Sequence, residues 1–366
     1  MKFRKSSFFI NRHIPLILLA LSAAAFVLAL FATQSNSLQK EEVSTVVPDG
    51  EWTQQEEEYW ENRIQRIGGV RAYKEFGEEV AKGPISAQHG EAHGFGRALY
   101  EAGGAEGASA CDMQFSMGCY HEFIGQAIAG QGQSVTRQLV AVCDNLPTPV
   151  DQSGCRHGIG HGIQAWLGYK PKNLLEGLAL CKEIQGAFND PYGGCASGLY
   201  MEYNLRLMTI PNSALRDVEN DNYLAPCDIV PKDDESSCVF WLPQWRLSGL
   251  RLHSPIVSNK EYQALGVFCR SLGLNESLTD DCFRGVGATV YGTATSTLSA
   301  REGCDSASST RREQTICRGF VAALNMSEQH ENLEEVCVGL SGPSYIYCED
   351  YTTGKSTVFD VIPLSI

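Results

Sequence analysis

The chain is 366 residues long, carries a formal net charge of −14 and has 43% hydrophobic residues. That hydrophobic fraction is ample for a packed core, and the length suits either about two ordinary domains or one continuous array of repeats. The negative charge opposes contact with phosphate backbones and with anionic lipid head groups, so we expect no nucleic-acid partner.

The N-terminus joins a basic segment to an apolar one. Residues 1–13 hold four basic side chains and no acidic one, and residues 14–32 are uncharged. An apolar run of this length is about long enough to cross a bilayer as a helix, which leaves the basic tail in the cytoplasm. A cleaved signal peptide that ends near Ala32 is the alternative. Both interpretations export the rest of the chain; the first predicts a single-pass protein of the cell membrane with an extracytoplasmic C-terminal domain.

Three segments follow the apolar run. Residues 33–55 are polar and lack hydrophobic periodicity, which predicts a flexible stalk. Residues 56–85 place apolar side chains three and four positions apart, which predicts one or two amphipathic helices that cap an array. Residues 86–366 are expected to form the array itself.

Fourteen cysteines divide this array into units. They fall into pairs whose two cysteines are 8 to 14 positions apart. Successive pairs recur along the chain and define a repeating unit of roughly 30–45 residues. An even number of cysteines outside the cytoplasm is most simply a set of disulfides, and no Cys-x-x-Cys spacing indicates a thiolate metal site. The predicted bonds join Cys111 to Cys119, Cys143 to Cys155, Cys181 to Cys195, Cys227 to Cys238, Cys269 to Cys282, Cys304 to Cys317 and Cys337 to Cys348.

Each unit predicts a helical hairpin stapled by its disulfide. Apolar residues at helical spacing lead to Cys143, a loop rich in proline and aspartate follows, and a second helix opens at Cys155, the second cysteine of the unit. The predicted fold class is all-α, an array of about seven disulfide-stapled helical hairpins (an α/α solenoid or toroid) after the N-terminal transmembrane helix. The pattern is weakest at 227–249, where Pro243 predicts a broken helix, and in the last unit, which leaves little chain for a second helix.

Two family resemblances accompany this architecture. The unit between Cys111 and Cys119, with its helix–loop–helix plan, resembles the disulfide-bridged Sel1-like repeats of secreted bacterial proteins, although their recurring Ala, Leu-Gly and Tyr pattern is missing. The segments HGFG at 93–96 and CRHGIGHG at 155–162 are similar to those that open the inner helices of lanthionine synthetase cyclase-like toroids. The second resemblance implies a zinc site with an adjacent Cys-His pair, but Arg156 separates Cys155 from His157 here.

Five of the eight histidines lie early in the array. His89 and His93 are four residues apart, as are His157 and His161, so on a helix each pair projects from one face about 6 Å apart and could bind one metal ion. Alignment on the second cysteine of each unit puts His121 and His157 at equivalent positions. These five imidazoles predict a site for a divalent metal, zinc or copper, and haem held by histidine pairs is also compatible with the sequence. One alternative is that the rings only hydrogen-bond carbonyls and helix ends in a tightly packed core. Another is that they are catalytic groups that act without a metal.

Other residues extend this prediction. Glu91, Glu122 and Glu202 are the acids near enough in sequence to act as an extra ligand or as a general base on a metal-bound water. The glycines around the histidines predict either close helix contact or backbone approach by a ligand, since glycine inside a helix is otherwise unfavourable. A separate group could line a groove for a glycan or peptide, or else belong to the core: Trp241, Trp245 and Arg246.

Three functions therefore compete. The first is a membrane-anchored extracytoplasmic domain with a histidine-rich metal site for storage, sensing or hydrolysis. The second is a scaffold that binds a protein or peptide on its concave face, with structural histidines. The third is an α/α toroid enzyme whose site lies where the inner helices begin.

Overall fold

The computed structural model of the chain describes residues 52–83, 85–112, 114–184, 192–207, 215–218, 221–250, 257–327, 334–353 and 355. The chain divides into Met1–Thr45 and Val46–Ile366, and every described residue belongs to the second unit. The predicted basic tail, the transmembrane segment and most of the stalk therefore lie outside the described residues. Within those residues, no helix combines the length and the apolarity that crossing a bilayer requires.

The described residues form helices and loops, with no β-strand among them, so the all-α fold class is confirmed. Short 3-10 helices lie at Gly104–Ala110, Phe115–Met117 and Lys232–Asp234. The α-helices are α1 Gln54–Ile67, α2 Gly69–Val80, α3 Ile85–Gly103, α4 Gly118–Gln131, α5 Gln133–Asp144, α6 Pro149–Leu167, α7 Pro171–Ile184, α8 Gly194–Leu205, α9 Glu235–Phe240, α10 Leu242–Leu250, α11 Asn259–Ser271, α12 Glu276–Tyr291, α13 Thr297–Ala307, α14 Arg311–Ser327, α15 Glu334–Cys337 and α16 Pro343–Thr352.

All seven predicted disulfides are present, and no described cysteine is free. The second cysteine of each unit lies in the helix that follows the loop of that unit. We call these helices the B helices; they are α4, α6, α8, α9, α12, α14 and α16. The helix α3 comes before the first of them and has no cysteine. The observed bonds join Cys111 to Cys119, Cys143 to Cys155, Cys181 to Cys195, Cys227 to Cys238, Cys269 to Cys282, Cys304 to Cys317 and Cys337 to Cys348.

The expectation that each second helix opens at its cysteine needs correction. The helices α4 and α8 do begin one residue before Cys119 and Cys195. In contrast, α6 begins at Pro149, well before Cys155. The remaining B helices also begin several residues ahead of their cysteines, which are Cys238 in α9, Cys282 in α12, Cys317 in α14 and Cys348 in α16.

N-terminal caps explain two of these early starts. The Thr148 hydroxyl accepts a hydrogen bond from the Asp151 amide, and Pro149 occupies the first helical position of α6. The Asn275 side chain likewise accepts from the Leu278 amide at the start of α12. In these two B helices the cap, rather than the cysteine, therefore sets where the helix begins.

Successive B helices lie side by side along the chain. The helix α6 packs against α4 before it and α8 after it, and α4 packs against α3. Further on, α12 packs against α9 and α14, and α14 against α16. In the last three hairpins the first helices also pack on one another, α11 on α13 and α13 on α15. Side chains all around α8 are buried, as expected of a helix covered on both sides.

Glycines bring two of these helices into backbone contact. A Cβ atom added to Gly160 of α6 would overlap the carbonyl oxygen of Cys195 in α8, and one added to Gly198 would overlap the carbonyl oxygen of His157. Of the two explanations for the glycines, close helix contact is the one that these residues show.

The sequence pattern was weakest at residues 227–249 and in the last unit. The predicted broken helix is present: α9 ends at Phe240 and α10 begins at Leu242, with Trp241 between them. The last unit, which leaves little chain for a second helix, does form one: α16 spans Pro343–Thr352 with a proline in its first turn. Before the array, α1 and α2 are the predicted amphipathic helices, and Gly68 with a φ of 84° separates them.

Candidate metal centre

Five imidazoles converge where α3, α4 and α6 meet. The helix α3 carries His89 and His93, α4 carries His121, and α6 carries His157 and His161. The centroid of the His121 ring lies 5.5 Å from that of His89 and 5.4 Å from that of His93. It lies 4.8 Å from the ring centroids of both His157 and His161. The structure thus brings together all five predicted histidines, with His121 in the middle.

His89 and His93 form the outer pair, which is partly exposed to solvent. Their Nε2 atoms face each other at 3.1 Å. The Nδ1 of His89 donates to the carbonyl oxygen of Phe115 at 2.8 Å, and the Nδ1 of His93 donates to Oε2 of Glu122 at 3.2 Å. Because both Nδ1 atoms carry the proton in these bonds, a neutral ring presents a lone pair at Nε2.

His157 and His161 form the inner pair, which is fully buried. Their Nε2 atoms are 3.2 Å apart. The Nδ1 of His161 bonds to Oε2 of Glu202 in α8 at 3.0 Å, and the Tyr169 hydroxyl donates to the other carboxylate oxygen. A carboxylate from the next B helix therefore orients one ring of each pair, which is a common arrangement around metal-binding histidines.

His121 has no such partner among the described residues. Its side chain is buried, and neither Nδ1 nor Nε2 makes a hydrogen bond there. The Nδ1 of His157 is also buried without a described partner. An unpaired polar atom in a protein interior costs about 1–3 kcal/mol, so these nitrogens call for a binding partner.

Burial keeps the central and inner imidazoles neutral. Loss of solvent, followed by the neighbouring imidazoles, lowers the pKa of His121 and of His157 well below the ordinary histidine value. Burial likewise lowers the pKa of His161 to about 3. Burial alone would raise the pKa of Glu122, but the hydrogen bonds from His93 and Gln126 bring that pKa below its usual value. Neutral imidazoles are the form that binds metal ions.

The separations fit a shared ion. Zinc and copper lie about 2.0–2.1 Å from an imidazole nitrogen, so two such nitrogens are about 2.9 Å apart at a ligand angle of 90° and about 3.4 Å apart at the tetrahedral angle. The Nε2 separations of 3.1 and 3.2 Å fall between these limits. Two triads have ligand atoms within 4.8 Å of one another: His89, His93 and His121, and His121, His157 and His161.

A haem fits these pairs poorly. Two axial ligands lie on opposite sides of the iron, about 4 Å apart across a porphyrin. The paired nitrogens here are closer than that, and the ring centroids within each pair are only 4.6 and 5.0 Å apart. Single metal ions suit these dimensions.

The three predicted acids have separate roles. Glu122 and Glu202 join the site through the Nδ1 atoms of His93 and His161. Glu91 does not, because two positions along a helix turn its side chain about 200° from the histidines on either side. Its carboxylate is buried, and burial followed by the charge of Glu56 raises the pKa of Glu91 to about 7.

The predicted groove is not formed by its tryptophans. Trp241 and Trp245 are 8% and 4% exposed, and their indole N–H groups donate to Ser197 Oγ and to the Arg216 carbonyl, both at 2.8 Å. Arg246 lies over the Tyr223 ring. These contacts correct the prediction of a binding groove: both indoles are core residues, and Trp241 packs against His157 at 5.8 Å between ring centroids.

Sequence reasoning missed two partners of the site. Tyr169 follows α6 in a loop and reaches Glu202, and the Phe115 carbonyl belongs to a 3-10 helix. Neither has a motif that would have identified it.

Comparison of the chain with protein-family models, with curated proteins and with solved structures finds no match. What the five imidazoles do must therefore be inferred from their own geometry.

Proposed function

We propose that this chain is an extracytoplasmic metal-binding protein that holds copper or zinc at its five clustered histidines. The observation that carries the proposal is the outer pair, in which two Nε2 atoms face each other at 3.1 Å while both Nδ1 atoms are committed as donors. Two neutral rings in these tautomers point lone pairs at each other, which is unfavourable unless a proton or a metal ion lies between them.

Holding the ion suits the cluster better than hydrolysis does. A hydrolytic metal site needs a general base beside the water that the metal ion binds. The two carboxylates of the site, Glu122 and Glu202, are occupied in orienting imidazoles, and the inner pair is buried. Storage or sensing of the ion is therefore the role that we propose.

Copper and zinc follow from the ligands. All five candidate ligands are imidazole nitrogens, which suit these two ions, and carboxylate-loving ions such as calcium and magnesium would lack oxygen ligands. Copper(II) gives the stronger complex with a given set of nitrogen ligands.

The location belongs to the same proposal. Seven disulfides are typical of an oxidising compartment, which supports a location of the described residues outside the cytoplasm. Anchorage of the chain in the cell membrane through residues 14–32 is the arrangement that the apolar N-terminal run favours.

Metal analysis of the purified full chain, with disulfides intact, tests this function. We expect at least one copper or zinc ion per chain after loading and removal of weakly bound metal, measured by mass spectrometry. The double variant that combines His157→Ala with His161→Ala should lose metal. The His253→Ala variant is the matched control, because that histidine is not one of the five.

Two results would contradict the proposal. One is a wild-type chain that retains no metal, which would favour purely structural histidines and a scaffold role. The other is a double variant that folds with its disulfides in place and still binds metal as the wild type does.

A further inference from the structure

We infer that the five histidines hold two metal ions at once, with His121 as an imidazolate bridge between them. This inference rests on the proposed metal-binding function and goes beyond it in ion number, ligand assignment and access. It starts from the two triads, which have His121 in common and no other member.

The central ring has the right chemistry to be shared. An imidazole offers two nitrogens, and each can bind one ion. Both nitrogens of His121 are buried without a partner among the described residues. One ion would satisfy only one of them, whereas two ions satisfy both, together with the Nε2 atoms of both pairs.

The outer and inner histidine pairs each have their own ligand nitrogens and their own carboxylate. Each supplies two Nε2 atoms about 3 Å apart, and in each a carboxylate from the next B helix fixes the later ring. With one nitrogen from His121, each ion has three protein ligands, which leaves a further position for water or a small ligand.

The charges also favour a bridge. When both nitrogens of His121 bind metal, its N–H bond breaks, two metal–nitrogen bonds exist, and the proton leaves to solvent. Two divalent ions bring four positive charges, against which stand the imidazolate and the carboxylates of Glu122 and Glu202. A buried charge is tolerated when opposite charges lie beside it, whereas an unpaired buried charge is strongly unfavourable.

The two ions would differ in access. The His93 side chain is 17% exposed, whereas those of His161 and Glu202 are 0% exposed. We therefore expect the outer ion to exchange readily with a chelator and the inner ion to exchange slowly.

Copper(II) titration of the full chain, followed by paramagnetic resonance, is the decisive experiment. We expect two tightly bound copper ions per chain. Because an imidazolate couples the spins of two copper(II) ions, the resonance intensity at low temperature should fall well below that of the total copper. Addition of a chelator should first remove one ion and restore the full signal of the other.

Each outcome separates the inference from the function on which it rests. A single bound copper overturns the two-ion site but leaves the metal-binding function standing, and no bound copper overturns both. Two coppers with full, uncoupled intensity overturn the bridge. A His121→Gln variant that folds with all disulfides formed, yet still shows coupled copper, would overturn it as well.

Discussion

At the scale of single residues, the carboxylate behind each histidine pair is the feature that distinguishes a built site from five imidazoles that merely meet. Glu202 is fully buried, and it accepts hydrogen bonds from His161 Nδ1 and from Tyr169. A carboxylate in this position fixes the ring and raises the basicity of the opposite nitrogen.

We therefore predict that Glu202→Gln weakens metal binding at the inner pair. The amide keeps the shape of the side chain and can still accept from Nδ1, but it lacks the charge, so the affinity should fall about 10–100-fold. Competition with a chelator of known affinity measures the change. Glu122→Gln should have the corresponding effect on the outer pair, since Glu122 bonds to His93.

The Glu91→Gln variant is the matched control for this measurement. Glu91 is a buried carboxylate on α3, like Glu122 on α4, but none of the described hydrogen bonds joins it to a histidine. Its substitution should leave the metal affinity unchanged. If all three variants bound metal with the wild-type affinity, the carboxylates would not orient metal ligands.

The same Glu91 predicts a pH-dependent stability. Its pKa in the folded protein is about 7, above the ordinary value of 4.5, so between these pH values the folded state binds more protons than the unfolded one. Its contribution to stability is complete below about pH 4.5 and is lost as the pH rises through 7. Glu91→Gln should therefore raise the free energy of unfolding at pH 8, on the order of 2 kcal/mol, and have little effect at pH 4.

Chemical denaturation of metal-free protein at the two pH values measures this difference. Glu56 is the neighbouring carboxylate on α1, and His89 and His93 stand two positions away on α3, so all three must be kept unchanged. Glu101→Gln, an exposed carboxylate of the same helix, should change stability little at either pH. An equal effect of Glu91→Gln at both pH values would refute the prediction.

At the scale of helices, the register between α6 and α8 decides whether Glu202 can reach His161. The bond joins residues 41 positions apart, and Gly160 and Gly198 allow the two backbones to approach closely enough to make it. Glycine is required there because each Cβ would overlap a carbonyl oxygen of the facing helix.

We predict that Gly160→Ala and Gly198→Ala each lower the free energy of unfolding by about 1–3 kcal/mol, the usual effect of overpacking a core. Each should also weaken metal binding, because α8 must move away and take Glu202 with it. Denaturation curves and chelator competition measure the two effects.

Gly249→Ala in α10 is the control for these variants. An added Cβ there meets no atom within 4 Å, so alanine should be neutral or should stabilise the helix by up to about 1 kcal/mol. A Gly160→Ala variant as stable as this control would show that the helices can separate without loss.

The helix scale also shows how far sequence alone could go. The spacing of the cysteines predicted all seven disulfides, and the i, i+4 spacing of the histidines predicted both pairs correctly. Such local patterns are fixed by helix geometry. The role of Glu202 was only one of several that the sequence allowed, because it depends on the contact between α6 and α8. The sequence placed the start of α6 too late, because residues 149–154 have the composition of a loop but follow the Thr148 cap and are helical.

At the scale of the whole molecule, the contacts of the array are mostly between adjacent units. Each B helix packs chiefly against the B helix before it and the one after it, so stability should be close to a sum of local terms. The sequence predicted this array but left its closure open, because a solenoid and a toroid differ only in a small rotation between successive units. The toroid resemblance therefore stays a prediction.

Disulfide removal at two places tests whether the array is open. The bridge from Cys143 to Cys155 holds α6, two residues from His157, and the bridge from Cys337 to Cys348 lies in α15 and α16 at the other end of the array. Their sequence separations are 12 and 11, so replacing either pair by serine should lower the free energy of unfolding by a similar amount, about 2–3 kcal/mol.

Removal of the two disulfides should affect different parts of the protein. In an open array, loss of the terminal bridge accelerates hydrogen exchange in α14 and α16 but leaves metal binding intact, whereas loss of the central bridge loosens α6 and releases metal. A closed ring would transmit either lesion to the histidines, because its last units would pack on its first. Metal loss from the terminal variant would therefore contradict the open array, and small-angle scattering should then show a globule in place of an elongated arc.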